Sequence, residues 1–180
     1  MPMQSTLDLK LAAPSVLVIM SISAPYAEKI LAGTKQIELR RNPVRFAPGT
    51  QVLIYHTQPV QAIVGSFTVA GIVSEAPDVL WRQYASSCGI SESNYWAYFQ
   101  GAQRAYGIVV SKSVRWKVPL YLQTLRAIWP LFNPPQRYCL VKPTHVTYNP
   151  LVRCLTEAGG VLLEGHHTAS CAPSSVLPTA

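Results

Sequence analysis

The chain has 180 residues, of which 49% are hydrophobic and 13% charged, which suffices for one packed core and excludes a wholly disordered protein. Fifteen Lys and Arg against eight Asp and Glu give a formal charge of +7, which favours RNA or a nucleotide as partner, although many basic proteins bind neither. No apolar run reaches the roughly 20 residues that cross a bilayer, so we expect a cytoplasmic protein without a membrane partner.

The first predicted elements are a strand, a helix and a second strand. Residues 16–22 are apolar and rich in β-branched side chains, as in a buried strand. Ser23 is placed to cap the next helix with its hydroxyl and Gly33 to end it in the left-handed conformation, so a helix is predicted over 24–32. Residues 36–40 alternate polar and apolar side chains, which predicts a half-buried strand.

The middle of the chain is predicted to form a curved sheet. Residues 51–56 and 62–75 are consecutive strands by composition, and Gly65 and Gly71 lie inside the second one, where glycine lets a strand bend sharply. Because no helix separates these strands, a doubly wound parallel sheet is disfavoured. The sequence therefore predicts an α+β fold, a small curved mostly antiparallel β-barrel with peripheral short helices.

The second half is predicted to add helices and strands to this sheet. Two helices begin at Pro77 and Ser91 and end at Gly89 and Gly101. The remaining predicted elements are strands over 105–110, 116–119 and 138–141 and helices over 120–128 and 151–158.

One domain is predicted over residues 16–141. Residues 1–15 form an N-terminal extension, in which an apolar run that imitates a signal peptide is interrupted by Pro14. Residues 142–180 form a C-terminal extension, and 166–180 are expected to be flexible because Ser, Ala, Pro and Thr dominate them. The four cysteines are spaced too widely for a metal knuckle or a disulfide framework, so we expect reduced thiols, no metal site and no cofactor.

Three charged residues form the most informative motif. Glu38 and Arg40 are two positions apart on one predicted strand, so their Cα atoms are roughly 6.5 Å apart on the same face, and Lys35 at the preceding turn can reach them. A carboxylate between two cations stays ionised and holds both in place, which is typical of a site that binds phosphate or a polar base edge. The alternative is an exposed strand face with solvated ion pairs worth about 0–1 kcal/mol each.

The motif and its surroundings resemble the ASCH domain family, a branch of the PUA-like superfamily. Gly33-x-Lys35-x-x-Glu38-x-Arg40 after a short helix is similar to the G-x-K-x-x-E-x-R signature of that family. The strand patterns on both sides of the motif are also similar to those of the family. The resemblance covers residues 16–141.

The resemblance implies a cleft beside the first helix that binds RNA or a nucleotide, with Lys35, Glu38 and Arg40 facing it and Arg41 beside them. Some small family members are amidohydrolases that act on acetylated cytidine with the lysine, a threonine three residues later and a distant glutamate. Here position 38 is Glu and residues 84–89 carry no carboxylate, so a binding module is favoured over that modified-nucleoside activity. In an enzyme, Lys35 is the candidate catalytic residue, provided that burial or nearby cations lower its pKa.

Ribonuclease activity is the other enzymatic alternative that the resemblance implies. Such chemistry needs a general acid or base beside the cations, and His56 is the candidate, although a lone histidine at a strand end is more often structural. A protein-binding role through the apolar segment 118–132 is a further alternative.

Aromatic side chains are candidates for stacking on an extruded base. Tyr55, beside the candidate histidine, and Tyr106 are two of them. Trp81 and Trp96 are others, but apolar residues recur at helical spacing around both, which favours a core role for them.

Overall fold

The computed structural model describes residues 16–157, with the side chains of 154–156 left out, so the predicted extension 1–15 and flexible tail 166–180 lie outside the described residues. The elements are β1 (Leu17–Ile22), α1 (Ala24–Leu31), β2 (Ile37–Arg40), β3 (Gln51–His56), β4 (Ala62–Glu75), α2 (Pro77–Cys88), α3 (Glu92–Phe99), β5 (Ala105–Tyr121), α4 (Leu122–Ile128), β6 (Tyr138–Val141) and α5 (Tyr148–Glu157).

The six strands form one sheet in the order β2-β5-β4-β3-β1-β6. Strands β1 and β3 pair in parallel, and the other pairings within the described residues are antiparallel. The helices are short and lie around the sheet. The predicted α+β class with a curved, mostly antiparallel sheet is confirmed.

The long β4–β5 pair bends the sheet. Its register shifts at three places, of which two adjoin Gly65 and Gly71, the predicted bending points. At Gly65 a Cβ atom would collide with the carbonyl oxygen of Val114 and with the side chain of Leu31. The strands curl into a half-barrel, so that β2 at one end of the strand order and β1 near the other contribute to a common pocket.

The apolar core lies on both sides of the sheet. Strands β1 and β3 are almost wholly buried, so their alternate side chains enter two different clusters. Ile37 and Leu39 of β2 enter a third cluster together with buried residues of α2 and α3. Helix α5 adds Tyr148, Leu151 and Val152 to the first cluster, so the packed core continues past β6.

Two local predictions were wrong in detail. Ser23 is the N-cap residue of α1, but its hydroxyl makes no capping hydrogen bond. Pro25 has no N–H to offer, and the backbone N–H of Tyr26 donates to the carbonyl oxygen of Ser23 instead, at 3.0 Å. The strands predicted separately over 105–110 and 116–119 are one 17-residue strand, β5, because a left-handed residue at Lys112 lets it bulge and continue.

The helices within residues 16–157 are all too short or too polar to span a membrane. The two cysteines whose thiols the structure describes, Cys88 and Cys139, are free.

Candidate functional site

Lys35 is buried in the turn between α1 and β2, with 2% of its surface exposed. Helix α1 ends at Leu31 and is followed by Gly33, whose φ is 77°, and the backbone N–H groups of Thr34 and Lys35 both donate to the carbonyl oxygen of Lys29. This turn directs the Lys35 side chain inward. Its Nζ donates hydrogen bonds to the carbonyl oxygens of Ile37 at 2.8 Å and of Cys88 at 2.6 Å.

Glu38 lies between the two predicted cations. One carboxylate oxygen is 3.6 Å from Lys35 Nζ, and the other is 3.1 Å from a terminal nitrogen of Arg40. Glu38 is only 7% exposed, so these are not the solvated ion pairs of an outer strand face. The sequence-based expectation that the three charges converge agrees with this geometry.

Arg40 links the two ends of the curled sheet. The same terminal nitrogen that contacts Glu38 is 3.5 Å from the carbonyl oxygen of Ser21 at the end of β1. The Nε atom of Arg40 and the hydroxyl of Ser21 are both buried without a hydrogen-bond partner within residues 16–157. Unsatisfied buried polar atoms are rare, and they are typical of a site completed by water or a ligand.

A cavity of about 480 Å³ opens above these charges. Its walls are the end of β1, the first turn of α1, strand β2 and helix α3. Tyr26 and Tyr98 supply aromatic rings, Asn94 an amide, and Ser23 a hydroxyl. Lys35 Nζ lies 5.3 Å from the centre of the Tyr26 ring, a cation–π contact. The cavity thus combines a charged floor with aromatic and hydrogen-bonding walls; we refer to it as the first cavity.

Burial lowers the pKa of Lys35, and the negative charge of Glu38 partly opposes this effect. The sequence left open whether the pKa of Lys35 is raised or lowered, and the burial of the side chain lowers it. Burial also raises the pKa of Tyr98. Three acceptors, two carbonyls and a carboxylate, surround Lys35 Nζ, so the chief role of its ammonium group is to hold Glu38 and the backbone around it.

The other residues predicted for the site lie elsewhere. Arg41 is exposed and donates to the carbonyl oxygens of Tyr98 at 2.8 Å and Gln100 at 3.0 Å, beside the first cavity and not in it. Tyr55 is 1% exposed and packs against Phe132 in the core. His56 is 4% exposed, with its Nε2 4.0 Å from Glu28, and it does not line the cavity.

The remaining aromatic candidates also lie outside the first cavity. Trp81 packs against Tyr95 in the α2–α3 cluster, as its helical spacing predicted. Trp96 is 40% exposed and donates from its indole N–H to Glu92, so its core role was overestimated. Tyr106 packs against a core cluster and is paired in register with Arg40.

Sequence reasoning missed the contribution of α3 to the site. Asn94 and Tyr98 are four positions apart and lie on one face of that helix, adjacent to the buried face that carries Tyr95 and Phe99. This spacing was a usable signal. No group of three or more potential metal ligands occurs among residues 16–157.

Comparisons with known proteins agree with this fold and motif. An ASCH domain family model matches residues 20–117. An ASCH domain-containing ribonuclease from Zymomonas mobilis is 30% identical over 120 residues, which cover 66% of this chain and 79% of that protein. The crystal structure of ASCH from Zymomonas mobilis aligns with a TM-score of 0.71 and 27% identity, over 76% of this chain and 94% of that one. A mutant of the same protein aligns with a TM-score of 0.71 and 26% identity, over 76% and 96%. The chain therefore belongs to the ASCH domain family.

Proposed function

We propose that the protein binds RNA or a nucleotide in the first cavity, with Glu38 as the acceptor that reads a base. The observation that carries this proposal is the buried Lys35–Glu38–Arg40 triad at the cavity floor. Two cations fix one carboxylate in position, and a carboxylate is the side chain that accepts hydrogen bonds from base amino groups. The triad keeps a net positive charge, which suits a ligand that also carries phosphate.

The walls of the cavity support the same ligand. Tyr26 and Tyr98 line it, and aromatic rings bind unstacked bases with little dependence on their identity. The unpartnered Ser21 hydroxyl adjoins the same space and offers a further donor or acceptor. The free thiols of Cys88 and Cys139 are consistent with the reducing cytoplasm, where we place the protein by the same proposal.

Ribonuclease activity in the same cavity is the second candidate, because the Zymomonas mobilis relative carries that name. A lysine with a lowered pKa, Lys35, lies at the cavity floor and is the candidate catalytic residue. The amidohydrolase alternative receives less support, since Glu38 occupies the position where those enzymes are expected to have threonine.

Fluorescence anisotropy with a labelled single-stranded RNA of about 12 nucleotides tests the binding proposal. Glu38→Gln makes the protein more positive, so non-specific electrostatic binding would tighten, whereas loss of a base-reading acceptor weakens binding by about tenfold. Asn94→Ala, on the exposed wall of the cavity, should also weaken binding without disturbing the core. Tighter binding by Glu38→Gln would overturn the proposal.

Arg82→Gln is the control for a substitution elsewhere on the surface, because Arg82 is exposed on α2, pairs with Asp78 and does not line the first cavity. It should leave RNA affinity within about twofold of the parent. The ribonuclease candidate is tested by incubating the same RNA with parent and Lys35→Met protein and resolving the products on a gel. Cleavage by both proteins alike, or by neither, would remove that candidate.

A further inference from the structure

A second cavity, of about 450 Å³, adjoins the first one. It lies between the segment that follows β2 and the segment that leads into β6. Arg40 and Tyr98 line both cavities, so the two cavities share a wall. The remaining side chains with polar groups that line the second cavity are those of Arg41, Asn42, Gln136, Arg137 and Tyr138.

The second cavity differs from the first in its charge. Arg40, Arg41 and Arg137 line it, and its lining within residues 16–157 includes no carboxylate. Glu38, which neutralises part of the charge of the first cavity, does not reach it. Guanidinium groups bind phosphate through paired N–H donors, so three of them around one hollow suit a phosphate group.

Hydrogen bonds to the backbone fix the main chain at Arg137 and the side chain of Arg41. The N–H of Ser21 donates to the carbonyl oxygen of Arg137 at 3.2 Å, which extends the β1–β6 pairing by one step and places Arg137 beside the end of β1. Arg41 is held against α3 by its hydrogen bonds to the carbonyl oxygens of Tyr98 and Gln100. The guanidinium group of Arg41 is therefore preorganised, and such a donor binds an anion with less loss of side-chain entropy than a free surface arginine does.

We propose that the second cavity is a phosphate subsite, which binds a phosphate group of the nucleotide whose base occupies the first cavity. This proposal rests on the proposed function and adds a requirement to it, because a free nucleoside would bring no anion to the three guanidinium groups that line this cavity. Arg137 is the principal phosphate ligand, and the amide groups of Gln136 and Asn42 line the rim as further donors. The same chemistry serves a nucleoside monophosphate or a phosphodiester within an RNA strand.

The experiment measures binding of the labelled single-stranded RNA over a salt series from about 50 to 200 mM. Arg137→Gln should weaken binding about tenfold at low salt and reduce the slope of log affinity against log salt by about 0.7, the value for one phosphate contact on a single strand. Arg82→Gln removes the same charge from an exposed residue that lines neither cavity, and it should change neither quantity measurably. Arg137 is exposed, so its replacement leaves the core intact.

Competition then identifies the source of the phosphate. The four ribonucleosides and the four 5′-monophosphates each compete against the labelled RNA. Monophosphates that compete about tenfold better than nucleosides, with the difference lost in Arg137→Gln, assign the subsite to the monoester. Equal competition together with a reduced salt slope in Arg137→Gln assigns it to a phosphodiester of the strand.

Two results would overturn the subsite, and they differ from each other. If the parent binds RNA and Glu38→Gln weakens it while Arg137→Gln behaves like Arg82→Gln, the subsite is wrong and the base-reading cavity stands. If the parent binds no RNA at low salt, the subsite and the proposed function both fail.

Discussion

The ammonium group of Lys35 donates a 2.6 Å hydrogen bond to the carbonyl oxygen of Cys88, which lies 53 positions further along the chain. The bond joins the turn before β2 to the last residue of α2. The space around the lysine is also narrow. A Cβ atom on Gly89, the next residue, would lie 2.8 Å from the Cβ atom of Lys35. Lys35 therefore links α2 to the segment before β2, and it also lies at the floor of the candidate site.

Replacement of Lys35 by Met should lower the free energy of unfolding by about 3 kcal/mol, because it leaves the Glu38 charge and two carbonyl oxygens buried without their donor. Chemical denaturation followed by circular dichroism measures the change. Lys29→Met is the matched control, since the exposed Lys29 donates to the carbonyl oxygen of Gly89 at 2.7 Å. Its effect should stay within about 1 kcal/mol, and equal losses in the two variants would contradict the prediction.

The lowered pKa of Lys35 also predicts how stability depends on pH. Below 10.5, its ordinary value, the unfolded chain binds this proton more readily than the folded protein does. The contribution of Lys35 to the free energy of unfolding therefore rises as pH increases from the folded pKa towards 10.5. The stability difference between the parent and Lys35→Met should grow in favour of the parent over this range. A difference that is constant with pH would show that the pKa of Lys35 is not lowered.

The effect of the Glu38 charge on the pKa of Lys35 can be tested separately. Glu38 raises the pKa of Lys35 against the effect of burial, so Glu38→Gln should lower that pKa further. A titration of ¹³C-labelled lysine side chains by NMR reports it directly, with the Lys35 signal assigned by its loss in Lys35→Met. A rise in the Lys35 pKa on removal of Glu38 would contradict the electrostatics described for the site.

Two glycines of β4 provide a matched test of the bend. Gly65→Ala should destabilise the fold by about 1–3 kcal/mol, because the added methyl group meets the backbone carbonyl of Val114 and the Leu31 side chain. Gly71→Ala meets no atom within 4 Å and should change the free energy of unfolding by less than about 1 kcal/mol in either direction. Thermal and urea denaturation of the two variants measure the contrast, and a larger loss in Gly71→Ala would contradict the close contacts described at Gly65.

The thiols should differ in reactivity. Cys88 is fully buried, and burial raises the pKa of its thiol, so little thiolate is present or accessible at neutral pH. Cys139 is only partly buried. N-ethylmaleimide followed by peptide mass spectrometry should label Cys139 before Cys88, and Cys88 only as the protein unfolds. Labelling of the two at the same rate in the native protein would contradict the packing of α2 against β2.

The fold could be predicted from sequence largely because local signals agreed with each other. The glycines inside β4 marked its bends, and the left-handed glycines at 33, 89 and 101 marked the helix ends. What the sequence could not supply was long-range order, such as the parallel pairing of β1 with β3 while β2 pairs at the far end of the sheet. Two strands were predicted, one on each side of the polar residues around Lys112, where the structure has the single strand β5.

The site could be predicted only from a strand in which polar and apolar side chains alternate. In β2 one face packs on helices and the other faces the cavity, so the two-residue period correctly separated Ile37 and Leu39 from Glu38 and Arg40. Strand β3 is buried on both faces, and alternation cannot indicate where its side chains point. The assignment of Tyr55 and His56 to the cavity therefore had no support in periodicity.

Strands β2 and β6 are the two outer strands of the sheet, yet Arg40 and the arginine that precedes β6 both line the second cavity. A molecule that contacts both arginines would bridge the two outer strands, which are the margins of the half-barrel. Amide hydrogen exchange should then slow along both margins at once when it binds, although neither strand forms a new backbone pair. Binding in this cavity and protection of both margins would then share one dependence on ligand concentration.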